Sequence, residues 1–300
     1  MDNITDKIAS THLGKKSSGS TTYDSSLLVA VPRIENRKHY DIHNENLPFE
    51  GWDVWHGYEF SCLTEKGLPV TRVLKLRYNC SSEFIVESKS LKLYLNSFNM
   101  SKSGKNSDEC LSICRNLIEK DLGEMLCTRV EAAFLQNDIS RENIFSNFVD
   151  LKSLINEENI TIAKFKESPE VLKVSGLTPE KSEHYLMFDS LRSNCRVTHQ
   201  PDFGDVFIYY KSCKNIDESS LVEYLVSFRS EYHFHEECCE MIYKRLFDIL
   251  DKQDELLVCA LYTRRGGIDI SPVRFSRNFS CSDVEKLIDI SKFVRCGIKQ

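Results

Sequence analysis

The segment SNCRVTHQPDFGD (Ser193–Asp205) places a cysteine, a histidine and two carboxylates within thirteen residues. A cysteine is a nucleophile as the thiolate, which needs a nearby cation or proton acceptor. Arg196, His199 and Asp202 are the local candidates for activating Cys195. A structural cysteine of the core that lies beside a surface turn would give the same pattern of residues. The segment alone therefore leaves a thiol site and a structural cysteine both open.

The segment EYHFHEECCEMIY (Glu231–Tyr243) combines histidines, glutamates and cysteines that could bind zinc. On a strand, His233 and His235 would point to opposite faces. Cys238 and Cys239 are adjacent, so both cannot face one ion from a helix. The glutamates are adequately explained by the first turn of a helix, where acidic side chains oppose the dipole. We therefore expect no metal here.

Two further segments could bind anions. ESKS (Glu87–Ser90) joins a strand end to a helix start, where Lys89 would assist an anion, but a simple helix cap with a solvated lysine is the commoner case. TRRGG (Thr263–Gly267) sets paired arginines beside glycines that could hold a phosphate. An exposed hairpin turn explains it equally well.

The elements that must position these residues follow from the spacing of apolar side chains. Two predicted helices span residues 108–122 and 236–250, and a third, capped by Ser88 or Ser90, buries one apolar face through position 98. The predicted strands are 71–78, 83–87, 127–135, 196–199, 206–211, 221–228 and 256–263. Residues 137–181 are predicted to connect the halves. This is an α+β plan, duplicated but without a clean sequence repeat.

Composition excludes several classes of protein. A formal charge of -6 lacks the basic field of a general nucleic-acid binder. No stretch reaches the roughly 20 apolar residues of a membrane helix, and the polar start is no signal peptide. The twelve cysteines contain no CxxC pair and are predicted to be reduced, mostly buried thiols. We expect a soluble cytoplasmic protein with a flexible segment at residues 1–22.

Several segments together resemble the long, two-module NADPH-dependent 7-cyano-7-deazaguanine reductases, the nitrile reductases of tRNA queuosine biosynthesis. The segments that carry the resemblance are DSSLLVAVPR, NLPFEGWDVWHGYEFSCL, ESKSLKLYLNSFN, NCRVTHQPDFGD, FRSEYHFHEECCE and YTRRGGIDISP. The resemblance implies tandem tunnelling-fold modules at residues 23–140 and 181–300, with residues 141–180 as the connection. It also implies a homodimer acting on a small-molecule base, without direct nucleic-acid or membrane partners.

The resemblance assigns roles residue by residue. It implies that Cys195 attacks the nitrile carbon to form a thioimide, that Asp202 supplies a proton, and that His235 assists catalysis. Phe234 is a candidate lid over the intermediates. The implied substrate-binding residues are Val86, Glu87, Ser88, Phe234, His235 and Glu236. The implied NADPH-binding residues are Ser88, Lys89, Arg265 and Gly266.

The implied reaction converts a nitrile into a primary amine and consumes two NADPH. Thiolate addition makes the nitrile a better hydride acceptor, and a cysteine and an aspartate side by side should hold one proton between them. Two alternatives stay open: a non-catalytic base-binding or assembly protein, and a zinc-dependent pterin or purine hydrolase on the same fold.

Overall fold

The computed structural model describes residues 22–136, 141–142, 144–279, 282–294 and 299. The predicted flexible N-terminal segment, apart from Thr22, lies outside the described residues. The strands, numbered in chain order, are β1 Ala30–Pro32, β2 Glu50–Leu63, β3 Pro69–Asn79, β4 Phe84–Val86, β5 Val130–Leu135, β6 Arg141–Glu142, β7 Val149–Asp150, β8 Val174–Asn194, β9 Pro201–Ile216, β10 Glu255–Tyr262, β11 Ile268–Phe275 and β12 Phe293–Val294.

Seven α-helices are found in the described residues. They are α1 Ile34–His39, α2 Ser88–Ser97, α3 Ser107–Leu126, α4 Leu151–Leu154, α5 Glu218–Ser227, α6 His235–Ile249 and α7 Ser282–Ile288. None of these helices combines the length and the apolar character that crossing a membrane would require. The α+β class predicted from the sequence is confirmed.

One eight-stranded sheet runs through the molecule in the order β5-β3-β2-β11-β10-β9-β8-β7. Each half follows the same plan: an antiparallel hairpin, two helices, and a strand that pairs with the second strand of the hairpin. In the C-terminal half β11 adds a further strand, and it pairs antiparallel with β2 of the N-terminal half. The two halves therefore share a single sheet.

The longer helices α2, α3, α5 and α6 cover one face of this sheet. Side chains alternate between the faces of a strand. In β9, Ile208 and Tyr210 accordingly pack beneath α5 and α6, while Phe207 and Tyr209 join a core on the opposite face. That opposite core is closed by residues 144–148, α7 and β12. Separate cores lie beneath the helices of each half.

The duplication is visible in the sequence once the two halves are superposed by topology, which corrects the expectation of no clean repeat. Helix α2 with its cap reads ESKSLKLYLNSF and α5 with its cap reads DESSLVEYLVSF. In both, the cap carboxylate accepts from the serine amide three residues on. That serine's hydroxyl donates to the cap carbonyl oxygen in both helices. The two capped helices are therefore equivalent elements.

Two predicted elements and one predicted helix cap are wrong. Residues 221–228 form most of α5 rather than a strand, because Leu221, Tyr224 and Leu225 lie on one buried helix face. Residues 196–199 form the turn between β8 and β9, not a strand. Glu87, not either serine, caps α2, because its two carboxylate oxygens accept from two backbone amides.

The remaining predictions are confirmed with small shifts of boundary. The strand predicted from residue 127 begins at Val130, because Cys127 adopts a left-handed conformation at the end of α3. The glycine turn predicted after β10 is present, and Gly266 and Gly267 both have positive φ. Strand β8 begins at Val174, inside the predicted connection. The domain boundaries themselves stay a prediction.

Candidate active site

Two adjoining cavities lie where the halves meet. The outer cavity, of about 220 Å³, is lined mainly by α2, the β8–β9 turn and the glycine turn. The inner recess, of about 20 Å³, is lined by the start of α6, β2 and β9. Ser88, Cys195, His235 and Arg265 belong to both. Every residue assigned to the site from the sequence lines one cavity or the other, so distant segments of the chain converge here.

Cys195 directly follows the last residue of β8 and begins the turn that leads to β9. Its backbone amide donates to the carbonyl oxygen of Gln200 at 2.8 Å, and its carbonyl oxygen accepts from the amide of His199 at 2.9 Å. These bonds close the turn around the side chain. The amide of Thr198 points at the Cys195 Sγ at 3.5 Å. Cys195 is 8% exposed.

Asp202 lies on β9, two residues into the strand after the turn. Its Oδ1 accepts from Nη1 of Arg265 at 2.6 Å, and its Oδ2 lies 3.3 Å from Nε2 of His235. The His235 ring stacks flat on Tyr262, with centroids 3.8 Å apart, and its Nδ1 has no hydrogen-bond partner among the described residues. The imidazole is thus fixed in orientation, with Nε2 turned towards Asp202.

Glu236 is 2% exposed, and its Oε1 has no hydrogen-bond partner within the described part of the chain. Burial, together with the carboxylate of Asp53, raises the pKa of Glu236 to about 8. An ionised carboxylate that is buried with one oxygen unpaired is costly, so the side chain takes up a proton instead. Burial therefore favours the neutral, protonated form of Glu236 at neutral pH.

A cluster of buried charges lies behind Glu236. Asp53 forms ion pairs with Arg33 and, at 2.8 Å, with Arg274. Glu240, one helical turn after Glu236, accepts from Arg37 at 2.7 Å and from Arg274 at 2.9 Å. The guanidinium groups therefore compensate Asp53 and Glu240. Glu236 lies at the end of this cluster and, within the described residues, forms no direct ion pair with a guanidinium group, although Arg33 and Arg274 are near enough to oppose the rise in its pKa.

Glu87 has a structural task within the outer cavity. Its Oε1 accepts from the amide of Lys89 at 2.9 Å and its Oε2 from the amide of Ser90 at 2.6 Å. The carboxylate is 3% exposed. These bonds hold the first turn of α2 against the cavity. Any contact between Glu87 and a ligand in the outer cavity would therefore be made while the carboxylate also caps the helix.

Three cationic side chains line the outer cavity: Lys89, Lys92 and Arg265. Lys92 was not identified from the sequence, because it reads as a solvated position of an amphipathic helix. Gly266 turns with φ of 60°, and a Cβ there would approach the Lys92 Nζ to 3.1 Å. The backbone can therefore come close to the lysine and to a bound group. This cationic wall fits a phosphorylated cofactor such as NADPH.

Trp55 is a second residue that sequence reasoning missed. It lies on β2, is 1% exposed, and lines the inner recess. Its Nε1–H has no acceptor among the described residues. Buried indole N–H groups usually find a partner. The signal in the sequence was weak, since an aromatic residue on a strand normally indicates core packing.

Other candidates are occupied elsewhere. Arg196 donates to Glu237 at 2.9 Å, and His199 packs edge-to-face on Tyr232. Neither contact points to activation of the thiol, so the sequence-based suggestion for Arg196 and His199 gains no support. His233 and His235 flank the start of α6 rather than lying on a strand.

The vicinal cysteines beside these histidines are also accounted for. Cys238 and Cys239 lie on the buried face of α6, where burial raises the pKa of Cys238 to about 12. A buried thiol with a raised pKa is a poor nucleophile at neutral pH. Both side chains therefore belong to the core.

The fold and the cavities define a tandem-module α+β protein with a cysteine, an aspartate and a histidine beside a cationic groove. Residues 20–134 match the family model described as nitrile reductase, 7-cyano-7-deazaguanine-reductase N-term, and residues 201–279 match that of QueF-like proteins. The NADPH-dependent 7-cyano-7-deazaguanine reductase of Colwellia psychrerythraea (strain 34H) is 40% identical over 268 residues, covering 88% of this chain and 91% of that protein. The chain belongs to the 7-cyano-7-deazaguanine reductase family, and its tandem modules have the tunnelling fold.

Proposed function

We propose that this chain reduces the nitrile of 7-cyano-7-deazaguanine to the primary amine of 7-aminomethyl-7-deazaguanine, consuming two NADPH, in the biosynthesis of the tRNA nucleoside queuosine. The observation that carries the proposal is the convergence of Cys195, Asp202, His235 and Glu236 on one recess, in a chain that belongs to this reductase family. A thiol, an acid and a base in one small cavity suit addition to a carbon–nitrogen multiple bond.

The first step is addition of the Cys195 thiol across the nitrile. The sulfur bonds to the nitrile carbon, one π bond to nitrogen breaks, and the nitrogen gains a proton, giving a thioimide. The thiol proton passes to the Asp202 carboxylate and from there to the nitrogen. The Thr198 amide at the sulfur and the His235 contact with Asp202 support these roles. Proton transfer of this kind contributes roughly 10²–10⁴-fold.

Bound NADPH would supply the two hydrides that take the nitrile carbon to the amine. Between the two hydride transfers the carbon–sulfur bond breaks, so that Cys195 leaves as a thiolate and an imine forms. Two protons from solvent complete the balance, one on the amine nitrogen and one on the Cys195 thiolate. Lys89, Lys92 and Arg265 would hold the cofactor's phosphates, with Ser88 and the backbone of Gly266 beside them. Arg265, 41% exposed and paired with Asp202, would link cofactor binding to the acid.

Recognition of the base falls to the inner recess. Ionised Glu236 would accept from the N–H groups of the guanine-like edge, and the Trp55 Nε1–H would donate to an acceptor on the base. A site built around such unpaired polar groups rejects bases that lack the matching group. Phe234, which packs on Val31 and Ile85, would keep water from the imine. Val86 forms an apolar wall.

Intact-protein mass spectrometry with 7-cyano-7-deazaguanine, in the absence of NADPH, tests the proposal. We expect one added substrate mass on the wild type, none on Cys195→Ala, and loss of the adduct when NADPH is added. Cys213→Ala, at a half-exposed cysteine outside the cavities, is the matched control and should still form the adduct. A folded wild-type protein that binds the base without forming an adduct would favour the non-catalytic alternative.

We further propose that the chain acts in the cytoplasm as a homodimer on the free base. Within the described residues the sheet ends at β5 on one side and is barely covered by the two-residue β7 on the other. Open edges of this kind are normally covered by another element or another chain. Sedimentation equilibrium of the purified chain distinguishes dimer from monomer.

A further inference from the structure

Three cysteines of the N-terminal half converge away from the active site. Cys62 lies near the end of β2, and Cys110 and Cys114 lie one turn apart on the same face of α3. Their Sγ atoms all lie within 4.8 Å of one another, and those of Cys62 and Cys110 are 3.1 Å apart. The three side chains are between 0% and 2% exposed.

An oxygen donor completes the surroundings of the sulfurs. The Ser103 Oγ lies 3.3 Å from the Cys110 Sγ, and the carbonyl oxygen of Leu63 lies 3.4 Å from the same sulfur. Ser103 belongs to the segment between α2 and α3, so three separate parts of the chain meet here. None of these residues lines the active-site cavities.

We propose that Cys62, Cys110 and Cys114 form a binding site for one thiophilic metal ion of the Zn²⁺ or Cu⁺ class. Three sulfurs at about 2.3 Å from a common ion would lie about 3.8 Å apart. The sulfurs of Cys62 and Cys110 are closer than this, at 3.1 Å, and all three lie within 4.8 Å of one another, so small movements of the side chains would accommodate an ion. Thiolate ligands select such ions over Mg²⁺ or Ca²⁺. Zn²⁺ would bind the Ser103 hydroxyl as a fourth ligand, whereas Cu⁺ would need only the three sulfurs.

This site has a structural rather than a catalytic role. An ion there would tie the end of β2 to α3 and to the segment that carries Ser103. It revises the sequence-based expectation of no metal. That expectation considered Glu231–Tyr243 and could not foresee that Cys62 meets the pair on α3. Because an ion that binds the folded chain alone stabilises it by mass action, loading should raise the melting temperature.

The test uses the reduced, metal-stripped full chain titrated with Cd²⁺, a spectroscopic substitute for Zn²⁺, and separately with Cu⁺ under anaerobic conditions. We expect one ion per chain by native mass spectrometry, sulfur-to-cadmium charge-transfer absorption, and a higher melting temperature. Cys114→Ser and Cys62→Ala should each lose the absorption and the thermal shift. Ser103→Ala should weaken Zn²⁺ at least tenfold and leave Cu⁺ unchanged if the hydroxyl is the fourth ligand.

Two controls separate this site from the other thiols. Cys80→Ser removes a lone buried thiol, and Cys195→Ala removes the proposed nucleophile; both should bind the ion as the wild type does. Ion binding and the melting temperature are measured without reductase activity. The proposed metal site can therefore be confirmed even if the proposed function fails. The proposal is overturned if the wild type takes no ion, if absorption persists in folded Cys114→Ser, or if Cys195→Ala abolishes it. The proposal is also overturned if Cys62 and Cys110 form a disulfide and the chain binds no ion once that disulfide has been reduced.

Discussion

Some polar side chains of the inner recess have hydrogen-bond or ion-pair partners within the protein, and others do not. Asp202 contacts Arg265 and His235. In contrast, Glu236 Oε1, Trp55 Nε1 and His235 Nδ1 have no hydrogen-bond partner among the described residues. Buried polar atoms are nearly always hydrogen-bonded in folded proteins. Several unpaired atoms in one recess therefore indicate a ligand of complementary polarity, which is the property expected of a site for a purine-like base.

Affinity for the base should depend on pH through Glu236. Because burial raises the pKa of Glu236 to about 8, the carboxyl must lose a proton to accept from the base. Binding then releases a proton, so affinity rises with pH and levels off above about 8. Calorimetry on Cys195→Ala, which cannot form the adduct, should show this rise, by up to tenfold per pH unit. Glu236→Gln should bind weakly without it, and a flat wild-type profile would contradict the assignment.

Trp55 should contribute a hydrogen bond to the base. Trp55→Phe keeps most of the apolar surface and removes the N–H donor, so affinity should fall roughly tenfold, equivalent to about 1.4 kcal/mol. Trp52→Phe is the matched control, because Trp52 stacks under Arg77 and packs with the core on the opposite face of the sheet. Equal losses in the two variants would assign Trp55 to packing alone.

At the level of elements, the equivalent helices α2 and α5 have diverged at their starts. Both are capped by a carboxylate, but the start of α2 lines the outer cavity and that of α5 lines neither cavity. The duplicated unit thus retains its capping chemistry in both halves. Only the N-terminal copy adds Lys89 and Lys92 at the cavity.

Glu87→Ala and Asp217→Ala separate capping from ligand binding. Each variant should lose about 1 kcal/mol of unfolding free energy, because each removes the side chain that caps a helix. Urea denaturation measures this loss. Glu87→Ala should in addition raise the KM for NADPH or the base, since the start of α2 forms the cavity wall. If Asp217→Ala impairs KM as strongly, the effect is a general loss of stability.

The same comparison explains one failure of sequence reasoning. Leu221, Tyr224 and Leu225 occupy the positions of Leu91, Tyr94 and Leu95, and the latter three were recognised as a helix face from their spacing. In the second copy Val222 and Val226 add β-branched residues, which favour a strand. Local preference was misleading there because packing against the sheet decides between the two structures. Aligning the two segments would have corrected it.

For the whole molecule, a buried ion cluster joins the two halves behind the active site. Burial opposes ionisation of Glu240, but the guanidinium groups of Arg37 and Arg274 outweigh it and lower the pKa of Glu240 to about 2. Because Arg274 lies on β11 and also contacts Asp53 on β2, the cluster spans the strand pair that unites the sheet. Removing one member leaves buried charge uncompensated.

Glu240→Gln should therefore cost about 3–5 kcal/mol of unfolding free energy. Because the pKa of the native carboxyl lies below its ordinary value of 4.5, the wild type gains this stability above about pH 4.5. The wild type should lose this stability as the pH falls towards 2. The stability of Glu240→Gln should not show this decrease. Guanidinium unfolding at several pH values measures both. Glu131→Gln, at a partly exposed pair with Arg77, should cost at most about 1 kcal/mol.

The sequence by itself determined the α+β class, the family and most of the residues that line the two cavities, because the proposed nucleophile, the proposed acid and the glycine turn lie in short contiguous segments. It could not determine that Glu236 is held as a neutral acid, that Trp55 faces the recess, or that three cysteines meet. Those properties depend on burial and on contacts between residues far apart in the chain. Pairing of β2 with β11 brings the halves together, and only that tertiary arrangement sets the dielectric surroundings and partners of each group.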